Sequence, residues 1–523
     1  MKLTLLLPVL FLSSLASAQM LYEHTFFDGA ASRVVLENSG EKYYLVDQQQ
    51  NAIKFYNADY SMWKTIPLVV PVGTLSISVS DVSELKINPD ANIEISCSFY
   101  TYTTSVQFVS QIVNELGTIL LSVPDCRNLV VDQQEGLPVK IISATGGVYS
   151  VPDLLPEHNY TEGNITRVKL DSSGEKYYAL DGINNLVNVY NADHSLWKVI
   201  VLTTPDASVT NISLFGENQI NTDNLIEVGF TSGDNSKIIN ENGGVILTVD
   251  NCFDFRISKI IGLPDKILAD KTVEITGPWA SETEVFSVPG FNSEHIYEGR
   301  TIRVMLENSG EKYYTTDGTT NTTDATIYNS DHTPWKTFTL DILTPYPNSN
   351  IIGIYASETK FDTDNQVELS YSYAVNTLDG GHFATKVIKE DGTVLLNIAE
   401  AYVAFMSEFP GLLDKFIVAI QYGPFNNQQS LSRVFGINGT FAVEDFGNPT
   451  VVVFPNPAQN EIKIESQTRI VEAYLYDTRG TLVQHYQQSD LQLIDIGNLS
   501  PGFYLLRLSD CNDLDFVQKI IVR

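Results

Sequence analysis

The chain has 523 residues, with 32 Lys and Arg against 63 Asp and Glu and a formal net charge of −31. So acidic a surface repels nucleic acid and anionic membranes, and neither is expected as a partner. A hydrophobic fraction of 43% suffices for packed cores and excludes wholesale disorder, and at about 150 residues per domain the length accommodates three or four domains.

The first eighteen residues have the three parts of a secretory signal. Lys2 gives a positive start, Leu3 to Leu12 form an apolar run broken only by Thr4 and Pro8, and Ala16-Ser17-Ala18 supply the small residues of a cleavage site before Gln19. The run is shorter than the ~20 residues that span a bilayer, so residues 1–18 are expected to be a removed signal peptide, not an anchor. No later segment is apolar for long enough to form a transmembrane helix, and a soluble mature chain is expected.

Internal repetition dominates the body of the protein. The segment Arg33 to Tyr44, which contains Ser39-Gly40-Glu41-Lys42-Tyr43-Tyr44, returns at Arg167 to Tyr178 and again at Arg303 to Tyr314, so the period is about 135 residues. Other landmarks keep the same register. A Glu-His pair opens each unit (Glu23-His24, Glu157-His158, Glu294-His295). A Tyr-Asn-x-Asp turn follows at Tyr56 to Asp59, Tyr190 to Asp193 and Tyr328 to Asp331, and then a Trp-Lys pair at Trp63-Lys64, Trp197-Lys198 and Trp335-Lys336. Mid-unit, Asp90, Asp223 and Asp364 precede strands that carry Glu94, Glu227 and Glu368. The repeats are assigned to residues 19–156, 157–293 and 294–440.

Within a unit the segments are short and rich in Val, Ile, Tyr and Phe, and Asn, Asp, Gly and Ser clusters separate them. This is the pattern of strands joined by turns, and no stretch of helical period competes with it. The class is all-β. The favoured architecture is a β-propeller built from the three repeats, with roughly six to nine four-stranded blades; the alternative is three tandem β-sandwiches, since about 135 residues also suit one domain with its own core. The phrase from Lys42 to Ile66 is similar to the strand–turn–strand phrases of NHL-type propeller repeats, although no motif of that family is complete.

Four cysteines, Cys97, Cys126, Cys252 and Cys511, are too few for a disulfide scaffold. Cys126 and Cys252 stand at equivalent repeat positions and are expected to fill matching core sites, while Cys97 with Cys126 is a pairing the first repeat would allow. Residues repeated three times are first suspected of structural work, because an active site usually breaks internal symmetry. The Glu-His pairs are accordingly read as inter-blade hydrogen bonding ahead of catalysis, and no His-x-x-x-His spacing makes them a metal site. Trp63, Trp197 and Trp335 are the candidate binding residues, since an exposed indole stacks on a sugar ring; strand context favours core packing. The Asn-x-Asp turns could offer oxygens to calcium but lack a full acidic loop. No catalytic residue, no metal site and no cofactor is assigned, calcium being the one ion left open.

At the C-terminal end, Val451 to Phe454 lead into Pro455-Asn456-Pro457, and a turn containing Asp477 and Gly480 follows. Gly502 and Tyr504 stand in a Leu-x-x-Gly-x-Tyr strand, and Lys519 begins a basic-apolar finish. In this order the motifs resemble the type A sorting domain of type IX secretion, found in Bacteroidota. The resemblance covers residues 451–523 and implies passage across the outer membrane, with the tail recognised by the secretion machinery and the cargo released or held at the surface. Alternating strands with turns at Gly480 and Gly502 read as a small antiparallel sandwich. Residues 441–450, with Gly447, Asn448 and Pro449, read as a linker.

The expected function is a secreted or surface-displayed, non-catalytic scaffold that binds protein or glycan. The alternative is an extracellular hydrolase acting on polysaccharide or protein. Whether the chain is an enzyme is left open, leaning against catalysis.

Overall fold

The structure, a computed structural model, describes residues 20–437 and 451–523 apart from breaks at 91, 204–206, 274–279, 317–323, 343–348, 363, 365, 378–379, 423–428, 455–457, 467–468, 477–481, 489–490 and 511–514. The expected signal peptide and linker, Cys511, and Pro455, Asn456, Pro457, Asp477 and Gly480 of the sorting motif lie outside the described residues. Among the described residues every regular element is a strand, and none of them forms a helix long and apolar enough to cross a membrane.

Four-stranded antiparallel sheets follow one another along the chain. The first three are formed by Ala31–Leu36, Gly40–Asp47, Ala52–Asn57 and Met62–Pro67; by Thr74–Ser83, Glu94–Tyr102, Val106–Asn114 and Ile119–Pro124; and by Leu129–Asp132, Lys140–Ser143, Gly147–Ser150 and Pro156–Asn159. The same triplet recurs as sheets four to six, from Ile165–Leu170 to Ser293–Glu298, and as sheets seven to nine, from Thr301–Leu306 onward. Sheet nine contains Ala401–Ser407, Lys415–Tyr422 and Gln429–Gly436, and its fourth strand is Leu21–Phe26 from the other end of the chain. The Glu-His strand that heads each repeat in sequence thus sits in space as the last strand of the sheet before it.

Why the doublets Tyr43-Tyr44, Tyr177-Tyr178 and Tyr313-Tyr314 recur follows from strand geometry, because successive side chains point to opposite faces. Tyr43 and Leu45 enter a core shared with Ile417 and Val434 of sheet nine, whereas Tyr44 and Val46 pack on the core shared with sheet two. Every sheet is therefore apolar on both faces. One core lies between each consecutive pair, from sheets one and two through two and three, three and four, four and five, five and six, six and seven, seven and eight to eight and nine. The last core joins sheet nine back to sheet one. Cys97, Cys126 and Cys252 are buried free thiols. Cys126 and Cys252 play matching parts, their Sγ atoms donating to Asn128 O and Asp254 O.

The hairpin from Glu37 to Gly40 shows how a turn is tied to the neighbouring sheet. Leu36 pairs with Gly40, leaving a three-residue loop that Gly40 closes at φ +71°, a left-handed value at which a side chain would be strained. Glu84 of the next sheet is buried and accepts from the N–H groups of Asn38 (2.8 Å) and Ser39 (2.9 Å) and from the Ser39 hydroxyl (2.5 Å). Burial alone would raise its carboxyl, but these donors outweigh burial and hold it below the usual range. Glu217 and Glu358 grip the equivalent loops at Ser172-Ser173 and Asn308-Ser309 in the same way.

Residues 451–523 form a separate pair of sheets, one of Val451–Phe454, Glu461–Ser466 and Leu493–Asp495, the other of Leu482–Gln487, Ile470–Tyr476, Gly502–Asp510 and Asp515–Val522. The two share one apolar core that includes Ile462, Leu475, Ile494 and Leu506.

Removing the Glu84 carboxylate would leave three donors without their acceptor. Glu84→Ala is expected to destabilise the repeat region by about 2–4 kcal/mol, the scale of lost hydrogen bonds to a buried charge. A urea midpoint equal to that of the unmodified chain would contradict this account of the loop.

Candidate functional site

Trp63, Trp197 and Trp335 stand on the fourth strands of sheets one, four and seven, Met62–Pro67, Leu196–Val201 and Pro334–Thr339. Each strand repeats one burial pattern: an exposed residue, a half-buried Trp and Lys, an exposed residue and a buried Ile or Phe. Each indole rests on the core shared with the following sheet. Two ammonium groups also lie over each ring. Lys42 and Lys64 Nζ are 4.7 and 4.6 Å from the Trp63 centroid, Lys176 and Lys198 are 4.7 and 4.4 Å from Trp197, and Lys312 and Lys336 are 4.8 and 4.5 Å from Trp335. Cation–π contact of this kind contributes about 0.5–1 kcal/mol at exposed sites and more where it is desolvated. The lysines are themselves anchored: Lys64 pairs with Glu115 and Lys198 with Glu241, each at 2.6 Å, and Lys336 pairs with Glu390. A ligand that stacked on these faces would have to share them with the ammonium groups.

The Glu-His strands build a second repeated cluster between sheets. His158 of sheet three stacks on His194 of sheet four, with centroids 4.9 Å apart and planes 9° apart; His295 and His332 repeat this at 5.0 Å and 4°. In the first unit Tyr60 takes the place of the second histidine, stacked on His24 at 4.6 Å. The Tyr160 hydroxyl lies 2.7 Å from His194 Nδ1, and Tyr297 is as close to His332. Glu23, Glu157 and Glu294 bind Lys415, Lys140 and Lys266 at 2.5 Å. Stacked rings present their faces to each other, so the paired imidazoles do not converge on a common ion.

Arg33 joins the same seam. It binds Glu41 at 2.7 Å and donates to the backbone oxygens of Ser407 and Leu413 on the sheet-nine side, at 2.9 and 2.8 Å. Arg303 repeats these contacts through Glu311, Ser258 and Pro264.

A third set lies where the first strand of sheets two, five and eight turns into the second. The loops run Asn88-Pro89-Asp90, Asn221-Thr222-Asp223 and Asp362-x-Asp364, and each leads four residues later to Glu94, Glu227 or Glu368. All three glutamates are fully buried. Burial, with nearby carboxylates adding to it, pushes their carboxyls up to about 8, 7 and 9. In the sequence these positions are landmarks of the repeat, and two of the loops are Asn-x-Asp turns of the kind left open for calcium. The spacing of acids was visible, but the burial that makes it notable was not.

Comparison with known proteins sets the C-terminal tail apart from the repeat region. Residues 452–523 match the family model described as a secretion system C-terminal sorting domain. The tail is a sorting domain. Its presence supports export of the chain as type IX cargo, to the medium or the cell surface. Of its motif, Gly502 opens the strand Gly502–Asp510, Tyr504 lies on that strand with its hydroxyl on Ser500 O at 2.8 Å, and Lys519 lies on the last strand. The chain is also 25% identical over 275 residues to Beta-agarase D of Zobellia galactanivorans, a match that covers 48% of this chain and 51% of that protein. The chain thus spans about half the length of this curated relative.

Among solved structures, the Vibrio cholerae biofilm matrix protein is 13% identical at a TM-score of 0.28, with 96% of this chain and 83% of that one covered. The β-propeller domain of the Trilobed protease from Pyrococcus furiosus is 10% identical at 0.28, covering 71% and 99%. Scores this low mark distant likenesses from which no function transfers.

The histidine pairs carry a pH dependence. Burial, and then the facing imidazole, hold His194 and His332 below the ordinary histidine range. The unfolded chain therefore takes up protons first as pH falls. The stability that the neutral pairs contribute is fully present above about pH 6.5 and is lost as pH drops from there through the folded-state value. A double variant His194→Tyr/His332→Tyr, copying Tyr60, is expected to lose less stability than its parent between about pH 7.5 and 5.5. Denaturation midpoints at both values check this, and parallel losses would refute it.

Proposed function

We propose that the chain is a type IX cargo of a Bacteroidota host whose repeat region is a nine-bladed β-propeller acting as a non-catalytic scaffold for glycan or protein. The observation that carries the propeller is the succession of cores. Each sheet shares one core with its predecessor and one with its successor, and the succession returns from sheet nine to sheet one, with Leu21–Phe26 hydrogen-bonded into the last sheet. Three independent sandwiches would each keep a core to themselves. Propellers of four-stranded blades around a central channel are built in this way.

The binding reading is supported by the threefold recurrence of the Trp-Lys strands, with an exposed flank at Met62, Leu196 and Pro334. Three equivalent patches give multivalent contact with a repetitive ligand. The similarity to Beta-agarase D favours a polysaccharide as that ligand. The same similarity motivates the second reading, a secreted hydrolase. The one unit-specific cluster of three acids found among the described residues, Asp362, Asp364 and Glu368, does not serve this reading, because Glu368 and Asp362 are buried beyond the reach of a polymer.

Two measurements test the proposal. Binding of the exported chain to immobilised polysaccharides is expected to weaken by about tenfold on Trp63→Ala, near 1.4 kcal/mol, with the far-ultraviolet spectrum unchanged; unaltered binding would remove the tryptophans from the contact surface. Deleting residues 451–523 is expected to abolish appearance of the chain in the medium and on the cell surface. Undiminished export would refute the cargo assignment.

A further inference from the structure

The buried glutamates of the acidic loops lack what a buried carboxylate requires. Among the described residues, no donor reaches Oε2 of Glu94, Oε1 of Glu227 or either carboxylate oxygen of Glu368, and all three side chains are fully buried. An ionised carboxylate so placed costs several kcal/mol unless a positive charge or a proton accompanies it. Each is aimed into a loop whose other polar side chains are oxygen donors too. In the third unit, ligand oxygens of Asp362, Asp364 and Glu368 all lie within 4.8 Å of one another, the spacing of two oxygens across a cation bound at about 2.3–2.6 Å.

The three loops share one backbone form. Asp90, Asp223 and Asp364 donate their N–H to the side-chain oxygen of the residue two before, each at 3.0 Å. Each in turn accepts at 2.9 Å from the N–H two residues on, of Asn92, Leu225 and Gln366. Asp90, Asp223 and Asp364 are exposed, which gives an ion a path from solvent to the buried glutamate. Asn88 lies against Glu94, its Nδ2 donating to Oε1 at 2.8 Å; as a ligand its amide would turn to present Oδ1 in place of Nδ2.

Charge is matched across the units although the residues are not. Asp90 and Glu94 give the first loop two carboxylates, and Asp223 and Glu227 give the second the same. The third has Asp362 in place of Asn88 and Asn221, one acid more, but it also has Lys389. That lysine stands opposite Glu368 where Asn114 and Asn240 stand opposite Glu94 and Glu227, and its Nζ binds Asp362 and Asp364. The ammonium marks the position as one where positive charge resides, but it pairs with the aspartates, and no hydrogen bond from it reaches Glu368.

We propose that each of the three loops binds one divalent, oxygen-seeking cation of the calcium class, held by Asn88, Asp90 and Glu94, by Asn221, Asp223 and Glu227, and by Asp362, Asp364 and Glu368. The glutamates are the inner ligands, and the exposed aspartates face the solvent path. The ions pin the turn between the first and second strands of sheets two, five and eight.

The test is equilibrium dialysis of the exported chain, stripped with chelator, against calcium at about 0.1–5 mM, a range that spans sites of the weak extracellular kind. Three bound ions are expected. Glu94→Gln, Glu227→Gln and Glu368→Gln are each expected to remove one, and Lys389→Asn to tighten the third site. Glutamine places a neutral group where a neutral group is already favoured, so these variants keep their fold, verified by circular dichroism. In the unmodified chain calcium is expected to raise the unfolding temperature, and in the triple glutamine variant to leave it unchanged. No retained calcium, or the full stoichiometry retained in the triple variant, overturns the proposal. A single Gln variant that binds as many ions as its parent overturns it for that unit. Should protons shared between the carboxyls occupy the loops instead, calcium would leave the unfolding temperature of the unmodified chain where it was, which likewise overturns it.

Discussion

A β-sheet that is apolar on both faces has to be covered twice, and the repeat region meets this demand with sheets of its own kind. Tyr43 and Leu45 leave sheet one on the side of sheet nine, and Tyr44 and Val46 on the side of sheet two. A row of such sheets that simply ended would expose an apolar face at each end. At roughly 25 cal/mol per Å2, a face of about 400 Å2 left in water costs roughly 10 kcal/mol, comparable to the whole net stability of a folded domain. The row does not end, because sheets nine and one share a core and the strand Leu21–Phe26 completes sheet nine. The position of this strand ties the first described residues to the last of the repeat region, so the cores on both sides of the seam depend on its pairing.

Apolar cover sets how many sheets are needed but not their mutual register. That falls to polar contacts across each seam, which are directional where the apolar ones are not. Glu84 holds the loop before it by three donors, and Arg33 reads two backbone oxygens of the preceding sheet while bound to Glu41. Buried ion pairs add little net stability, since desolvation offsets most of the attraction. Their service here is geometric: a sheet shifted along its neighbour would leave the Arg33 guanidinium or the Glu84 carboxylate buried without partners, at several kcal/mol each. The recurrence of these residues in all three units follows from the seam recurring, which is why most of the conserved-looking polar pattern within the chain reports on packing.

Much of this was legible in the sequence. Segments rich in Val, Ile, Tyr and Phe between Asn, Asp, Gly and Ser turns marked strands, and the motif from Arg33 to Tyr44 marked the repeat. What could not be read was the number of sheets per unit, because the later sheets of a unit carry no motif as marked as Ser-Gly-Glu-Lys-Tyr-Tyr and because turn residues bound hairpins and inter-sheet links alike. Nor could the sequence show that the Glu-His strand belongs to the sheet before it. Strand order is a long-range property, and residue 24 pairs with residue 434. Trp63, Trp197 and Trp335 were singled out as residue types. Only the structure shows that lysines from two different strands, such as Lys42 and Lys64, meet over each ring. The acidic loops were visible as spacing, but an exposed Asp-x-x-x-Glu and a buried one read identically, and it is the burial of Glu94, Glu227 and Glu368 that turns a turn motif into a chemical problem.

Internal repetition also sets where the units are free to differ. Residues on a shared seam must complement both neighbours, so Arg33, Arg167 and Arg303 and Glu84, Glu217 and Glu358 recur, although Arg167 meets the Asp132 carboxylate where Arg33 and Arg303 meet backbone oxygens. The copies diverge at two places: on the seam, where Tyr60 stands for His194 and His332 and keeps the stacked ring, and in the acidic loops, where Asp362 with Lys389 stands against Asn88 with Asn114 and Asn221 with Asn240. In the second of these the two changes compensate each other, one added acid against one added base. Paired replacement of that kind is expected where a fixed local charge matters more than the identity of any one side chain. A loop serving only as a turn would place no demand on its net charge, because an exposed turn acid is solvated at little cost. The matched charge of the three loops and their buried glutamates, each with at least one oxygen that no donor reaches among the described residues, therefore point to the same cause, a positive charge that each loop has to accommodate.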